Sequence, residues 1–147
     1  MIDIVVKEFN ELSAMELYGI LQLRSEVFVV EQNCVYQDLD GKDPKALHVI
    51  GYNNKKVVAY TRVFKPNDYF KEASIGRVVV SKDQRKHKYG NEIMKASIKA
   101  IEEQFNKTKI VLSAQTYLKR FYNSLNFKEI GDVYLEDGIP HIKMIKE

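Results

Sequence analysis

At 147 residues, the chain has the length of one domain with room for one core, and residues 1–147 read as a single domain. With 45% hydrophobic residues, 29% charged residues and a net charge of +3, it is neither a disordered chain nor a general polyanion binder, so any anion site has to be local. The single cysteine rules out an internal disulfide and fits a reducing compartment, while the absence of a leader-like N-terminus and of a long apolar run points to a cytoplasmic protein without a membrane partner.

In chain order, "IDIVVKEF" (residues 2–9) reads as a strand. Ser13 and Glu16 have the spacing of a capping box. They open a helix that places Leu17, Ile20, Leu21, Arg24 and Phe28 near one face. "NCVYQDLDGKDPKA" (33–46) is a polar loop, and its acidic run from Asp38 to Asp43 reads as a solvated turn. "LHVIGYN" and "KVVAYTRVF" form a hairpin across Asn53–Asn54–Lys55. "SIGRVVV" (74–80) is a further strand, and Met94, Ile98, Ile101 and Phe105 mark the helix after it. "KIVLSA" (109–114) is a short buried strand and "TYLKRFYNSL" (116–125) a second amphipathic helix. "FKEIGDVYL" and "PHIKMIK" close the chain as an antiparallel pair turning at Asp137–Gly138. Strand, helix and strand from Ser74 to Ala114 make a βαβ unit, whose strands should be parallel. The expected fold class is therefore mixed α/β (α+β): a mostly antiparallel sheet with a central parallel unit and helices on both faces.

One corner of this plan is electrically odd. Lys82, Arg85, Lys86, His87 and Lys88 crowd the N-terminal end of a helix, where the backbone already carries partial positive charge. An anion would resolve this, since helix N-termini beyond the carboxyl ends of strands are ready-made phosphate sites. Gly90 would let such a ligand approach the backbone. A plain solvated basic turn is the bland alternative. A nucleic-acid patch fits less well, because no aromatic stacking platform accompanies the cations. Neither of the common glycine-rich phosphate-loop patterns is present.

The segment "VVVSKDQRKHKYG" resembles the coenzyme A loop [QR]-x-x-G-x-[GA] of the GNAT N-acetyltransferases, with Arg85 at its first position and Gly90 at its last. "FYNSLNF" resembles the same superfamily's Y-x-x-x-G-F motif, with Tyr122 first and Asn126 in place of the glycine. "LRSEVFVVEQNCVYQDLDGKD", "IGRVVV", "AQTYLKRFYNSLNF" and "EDGIPHIKM" are similar, in order, to segments of the bacterial ElaA-like branch. The resemblance covers nearly the whole chain. It implies a GNAT-like fold and transfer of acetyl from acetyl-CoA to a small-molecule or peptide amine. No metal is called for, and a homodimer stays open. Lys88 stands where the family has the first loop glycine: if that position needs a positive φ, lysine is costly there.

The same resemblance assigns roles. Val78, Val80, Arg85, Lys86, His87, Lys88, Tyr89, Gly90 and Gln115 would hold the cofactor. The Val80 N–H would stabilise the developing oxyanion. Tyr122, with an ordinary pKa of about 10 against about 8.5 for a simple thiol, would protonate the leaving thiolate once positioned beside it. At helical spacing, Tyr122 is otherwise a core residue. Glu31, Asp40, His48, Arg62, Arg77 and His141 fall in segments expected to line the acceptor site, and the acidic bias there suggests a cationic amine. His48 and His141 could instead be ordinary sheet histidines. Cys34 invites a covalent acetyl-cysteine route, but transfer within a ternary complex is the expectation. A non-catalytic acyl-CoA sensor is the alternative.

Overall fold

The computed structural model describes residues 2–147. Strand β1 (Asp3–Glu8) leads to helix α1 (Ala14–Arg24), which starts where the capping box requires. Ser13 Oγ accepts the Glu16 N–H at 3.1 Å, and Glu16 Oε1 accepts the Ser13 N–H at 2.9 Å. The Glu16 carboxylate also accepts from Lys7 of β1 and from the Tyr52 hydroxyl, which fixes α1 to the sheet edge. Beyond α1 the chain widens into a π-helical segment, Ser25–Glu31. Such widening turns a helix face by a fraction of a turn and is common beside functional sites.

The hairpin of β2 (Leu47–Asn53) and β3 (Lys56–Phe64) has the bounds read from the sequence. Its turn residues Asn54 and Lys55 both have positive φ, the backbone of a tight hairpin turn. Strand β4 (Ala73–Val80) is followed by a 3₁₀ turn (Lys82–His87), and helix α2 (Tyr89–Phe105) comes next. Strand β5 is Ile110–Gln115. The expected helix over 116–125 is a 3₁₀ turn (Thr116–Leu118) running into the short helix α3 (Lys119–Asn123). Asn126, at φ +72, then turns the chain so that Phe127 packs on the Tyr122 ring. Strands β6 (Lys128–Glu136) and β7 (Ile139–Lys146) join through Asp137 and Gly138, both at positive φ.

Seven strands form one sheet in the order β1-β2-β3-β4-β5-β7-β6. All pairs are antiparallel except β4 with β5. That parallel pair is held only at Ala73–Ile110 and Ser74–Val111. Beyond these positions the two strands separate. The cause lies on the other edge of β4, where Arg62 faces Gly76 but Tyr60 faces Val79. One residue of β3 is therefore opposed by Arg77 and Val78 together, a β-bulge, and Arg77 takes φ +49.

The core lies on both faces of the sheet. On one, Ile20, Leu23 and Val27 pack against Ile50, Tyr60 and Val79. On the other, Ile93, Met94 and Ile101 of α2 pack with Val49, Val63, Ile75 and Leu112. The helical stripe read around Met94 thus faces the sheet as expected.

Candidate active site

A cavity of about 670 Å³ opens where β4 and β5 part. Ile75 to Val80 form one wall, and Leu112, Ser113 and Gln115 the other. The π-helical segment contributes Val27, Phe28 and Glu31, and α3 contributes Phe121 and Tyr122. Glu136, Asp137, Ile139 and His141 close the far end.

The backbone of β4 aims a donor into this space. The Ser81 N–H donates to the Val58 carbonyl of β3 at 2.8 Å. Because successive N–H groups in a strand point to opposite edges, the Val80 N–H faces away from β3, toward the gap. The Val80 carbonyl shares that edge and accepts from Arg85 Nε at 3.2 Å. Gly76 presents no side chain here, and open space lies where its Cβ would stand.

At the cavity's basic end, Arg85, Lys88, Gly90 and Asn91 line the wall. Gly90 belongs to the first turn of α2, whose N–H groups the helix's own ladder cannot all use. Asn91 Oδ1 is buried without a hydrogen-bond partner among the described residues. Lys88 adopts φ +61 and ψ +27, so the position does require the left-handed conformation that glycine takes most easily. Lys86, His87 and Tyr89 do not line the cavity; the rings of the last two pack together at 5.2 Å. Arg85 itself is engaged: its guanidinium grips the Glu31 carboxylate with two bonds of 2.6 and 2.8 Å. These bonds hold the Glu31 carboxyl below its ordinary value.

Tyr122 is 4% exposed and lines the cavity between the Phe121 and Phe127 rings. Burial pushes its hydroxyl well above the ordinary tyrosine value, so it carries its proton at neutral pH. His141 also lines the cavity. Its Nδ1 lies 2.7 Å from the Ile139 carbonyl oxygen and so donates to it, and Nε2 lies 3.5 Å from the Glu136 carboxylate. Cys34 Sγ donates to the Asp137 carbonyl at 3.4 Å, tying the loop to the β6–β7 turn. Gln115 lines the cavity and its side chain donates to Gln32 at 3.3 Å.

Of the residues expected at the acceptor end, Glu31, Arg77 and His141 are there, whereas Asp40, His48 and Arg62 are not. Asp40 and Arg62 belong to a largely buried ionic network formed with the 33–46 loop, and His48 sits beside it as a neutral partner of the Asp43 carbonyl. Arg24 donates to Asp38 and Asp43, each at 2.8 Å. Arg62 pairs with both oxygens of Asp40 at 2.8 Å and with Asp43 at 3.0 Å. Arg77 Nε donates to Asp38 at 2.7 Å. The acidic run is thus not a solvated turn, since Asp38 and Asp43 are buried. Burial raises the Asp43 carboxyl, but hydrogen bonds from Arg24 and Arg62 overcome this and leave it lowered; Asp40 is likewise lowered by Arg62 against its burial. His48 is neutral, its pKa depressed by burial. The Tyr60 hydroxyl donates to its Nδ1 at 2.6 Å and its Nε2 donates to the Asp43 carbonyl at 3.0 Å. It is the sheet histidine that the bland reading allowed.

Residues 9–147 match the family model of the acetyltransferase (GNAT) domain. The chain belongs to the GNAT acetyltransferase family. It is 44% identical to the protein ElaA of Escherichia coli K12 over 94% of this chain and 92% of that one. The crystal structure of Escherichia coli ElaA superposes with a TM-score of 0.93 at 42% identity, covering 100% of both chains. An acyl-CoA N-acyltransferase from Pseudomonas aeruginosa matches with a TM-score of 0.92 at 39% identity over 99% of each chain. An aminoglycoside 6′-N-acetyltransferase complexed with coenzyme A shares the fold, with a TM-score of 0.74 at 16% identity over 97% of this chain and 96% of that one. The GNAT chain described here therefore has the acyl-CoA N-acyltransferase fold. No helix of the described residues is long and apolar enough to cross a membrane.

The sequence reading missed the cavity roles of Phe28, Asn91, Ser113 and Glu136. Glu136 had a signal, since it opens the "EDGIPHIKM" segment that also holds His141. Asn91 had one too, one residue beyond the loop glycine. Phe28 lies in the "LRSEVFVVEQNCVYQDLDGKD" segment but read only as a helix-face residue, and nothing in the sequence marks Ser113.

Proposed function

We propose that the chain moves an acetyl group from acetyl-CoA to the amine of a small molecule or peptide, by direct transfer with both bound. The observation that carries this reading is the Val80 N–H turned into the gap between β4 and β5, with the protonated Tyr122 hydroxyl lining the same cavity. The fold shared with a coenzyme A complex supports a coenzyme A donor.

The residues fit that donor. Arg85, Lys88 and the Gly90 N–H supply charge-assisted and backbone partners for its phosphates. Asn91 Oδ1, buried and unpaired among the described residues, supplies an acceptor for an amide N–H of its pantetheine arm. Acetyl-CoA supplies an activated acyl carbon joined to a good leaving thiolate. As the amine nitrogen bonds to that carbon and the carbon–sulfur bond breaks, charge builds on the carbonyl oxygen and then on sulfur. The Val80 N–H donates to the oxygen. Tyr122 gives its proton to sulfur. His141, whose Nε2 lies 3.5 Å from the Glu136 carboxylate, receives the amine proton. Cys34 lines the cavity and donates a hydrogen bond to the Asp137 carbonyl, and direct transfer requires no acyl intermediate on it.

The test is release of free thiol from acetyl-CoA over a panel of cationic and neutral amines. The reading expects amine-dependent release that falls at least tenfold in Tyr122→Phe with acetyl-CoA affinity retained, in line with the usual worth of a general acid. Binding without turnover on any amine would favour the acyl-CoA sensor instead.

A further inference from the structure

The two-bond grip of Arg85 on Glu31 uses the cation that the cofactor's phosphate would need. Both residues line the cavity, but they come from opposite sides of it: Glu31 ends the π-helical segment, and Arg85 sits in the turn before α2. The Arg85 side chain is 42% exposed, and an ion pair so open to water is cheap to break. A phosphate offers the same guanidinium a bidentate partner of higher charge. Opening the pair leaves Glu31 as an unpaired carboxylate facing the cavity. Arg77, the cavity's other guanidinium, cannot replace Arg85 because Asp38 holds it through bonds of 2.7 and 2.9 Å. Lys82 acts on Glu31 only through space, and Lys88 lies on the cofactor side. Glu136 and Asp137 add further negative charge to the same cavity.

We infer that Arg85 and Glu31 form a latch that the cofactor opens, and that the freed Glu31 carboxylate then holds the acceptor's ammonium group. The inference rests on the reading of Arg85 as a phosphate partner given above. It assigns the acceptor to the class of cationic amines. While Arg85 grips Glu31, the amine's anchor is occupied. Once the phosphate has taken Arg85, the Glu31 carboxylate is free to accept from an ammonium group.

The test is a double-mutant cycle on acetyl-CoA affinity, measured by calorimetry with the wild type, Glu31→Gln, Arg85→Ala and the double variant. Glu31→Gln removes the competitor, so it should tighten acetyl-CoA binding about two- to fivefold, the worth of an exposed ion pair. That gain should vanish in the Arg85→Ala background. Unchanged or weaker binding in Glu31→Gln overturns the latch, as does an equal gain in both backgrounds, which would reflect simple charge repulsion. A wild type that binds no acetyl-CoA overturns the cofactor reading itself, a separate result. For the anchor, n-butylammonium is added to protein carrying ¹³C-labelled glutamate, with and without saturating coenzyme A. A perturbed Glu31 carboxylate resonance only when coenzyme A is present supports it; perturbation in both states or in neither overturns it.

Discussion

Lys88 sits at φ +61, where an L-residue with a Cβ pays about 1–2 kcal/mol that glycine avoids. Part of that gain is offset by glycine's larger freedom in the unfolded chain, so Lys88→Gly is expected to raise stability by about 0.5–1 kcal/mol. Chemical denaturation would read this as a higher midpoint at unchanged slope; a lower midpoint would mean that the lysine side chain stabilises the turn. Arg85→Ala should weaken acetyl-CoA binding about tenfold, the worth of a charge-assisted hydrogen bond, with little loss of folding because the side chain is half exposed. The sequence posed the question at Lys88 but could not answer it. Only the backbone reveals that the position is left-handed rather than merely small. Asn126 is the contrasting case: asparagine tolerates φ +72, and its departure from the family glycine is mild as expected.

At the scale of an element, the 33–46 loop was legible as a polar loop and misread as a solvated one. The acidic residues are adjacent in sequence, but Arg24 lies 14 positions before Asp38 and Arg77 lies 39 after it. No local pattern announces such partners, and a run of aspartates looks the same whether it meets water or buried arginines. The consequence is testable. Asp43→Asn removes charge shared by Arg24 and Arg62, leaving buried guanidinium groups undercompensated, and should cost about 3–5 kcal/mol. Urea unfolding measures it, and a change below about 1 kcal/mol, the worth of a surface pair, would place the network in effective contact with solvent. The hairpins were easier. The Asp137–Gly138 turn follows directly from turn chemistry, because the tight turn needs two residues at positive φ, and the Asn53–Asn54–Lys55 turn was legible from Asn54 although Lys55 also takes positive φ. The parting of β4 from β5 was out of reach of pattern reasoning, since the βαβ signal gives strand direction and says nothing of how long the pairing lasts.

For the whole molecule, several groups titrate in the same direction. Glu16 is lowered from 4.5 to about 2, first by the Ser13 N–H and then by Lys7. Asp40 and Asp43 are also depressed by their arginines against the opposing effect of burial. A depressed carboxyl contributes stability that is present above its unfolded value and lost as pH falls through the folded one. His48, held neutral by burial, acts the same way, because below its ordinary 6.5 the unfolded chain binds a proton that the folded chain refuses. Stability should therefore start to fall just below pH 6.5 and drop more steeply from about 4.5 toward 2. Urea midpoints across that range provide the check, and a flat profile down to pH 3 would contradict these assignments.

The account as a whole depends on the basic corner and the parted strands forming one coenzyme A site. Calorimetric titration of the purified chain with acetyl-CoA at moderate salt tests this most directly. Saturable binding at one site per chain, weakened in Arg85→Ala, is the result predicted. No heat of binding for the wild type, with the fold intact by circular dichroism, would mean that Lys88 has closed the loop to the cofactor and that the acetyl-transfer reading is wrong.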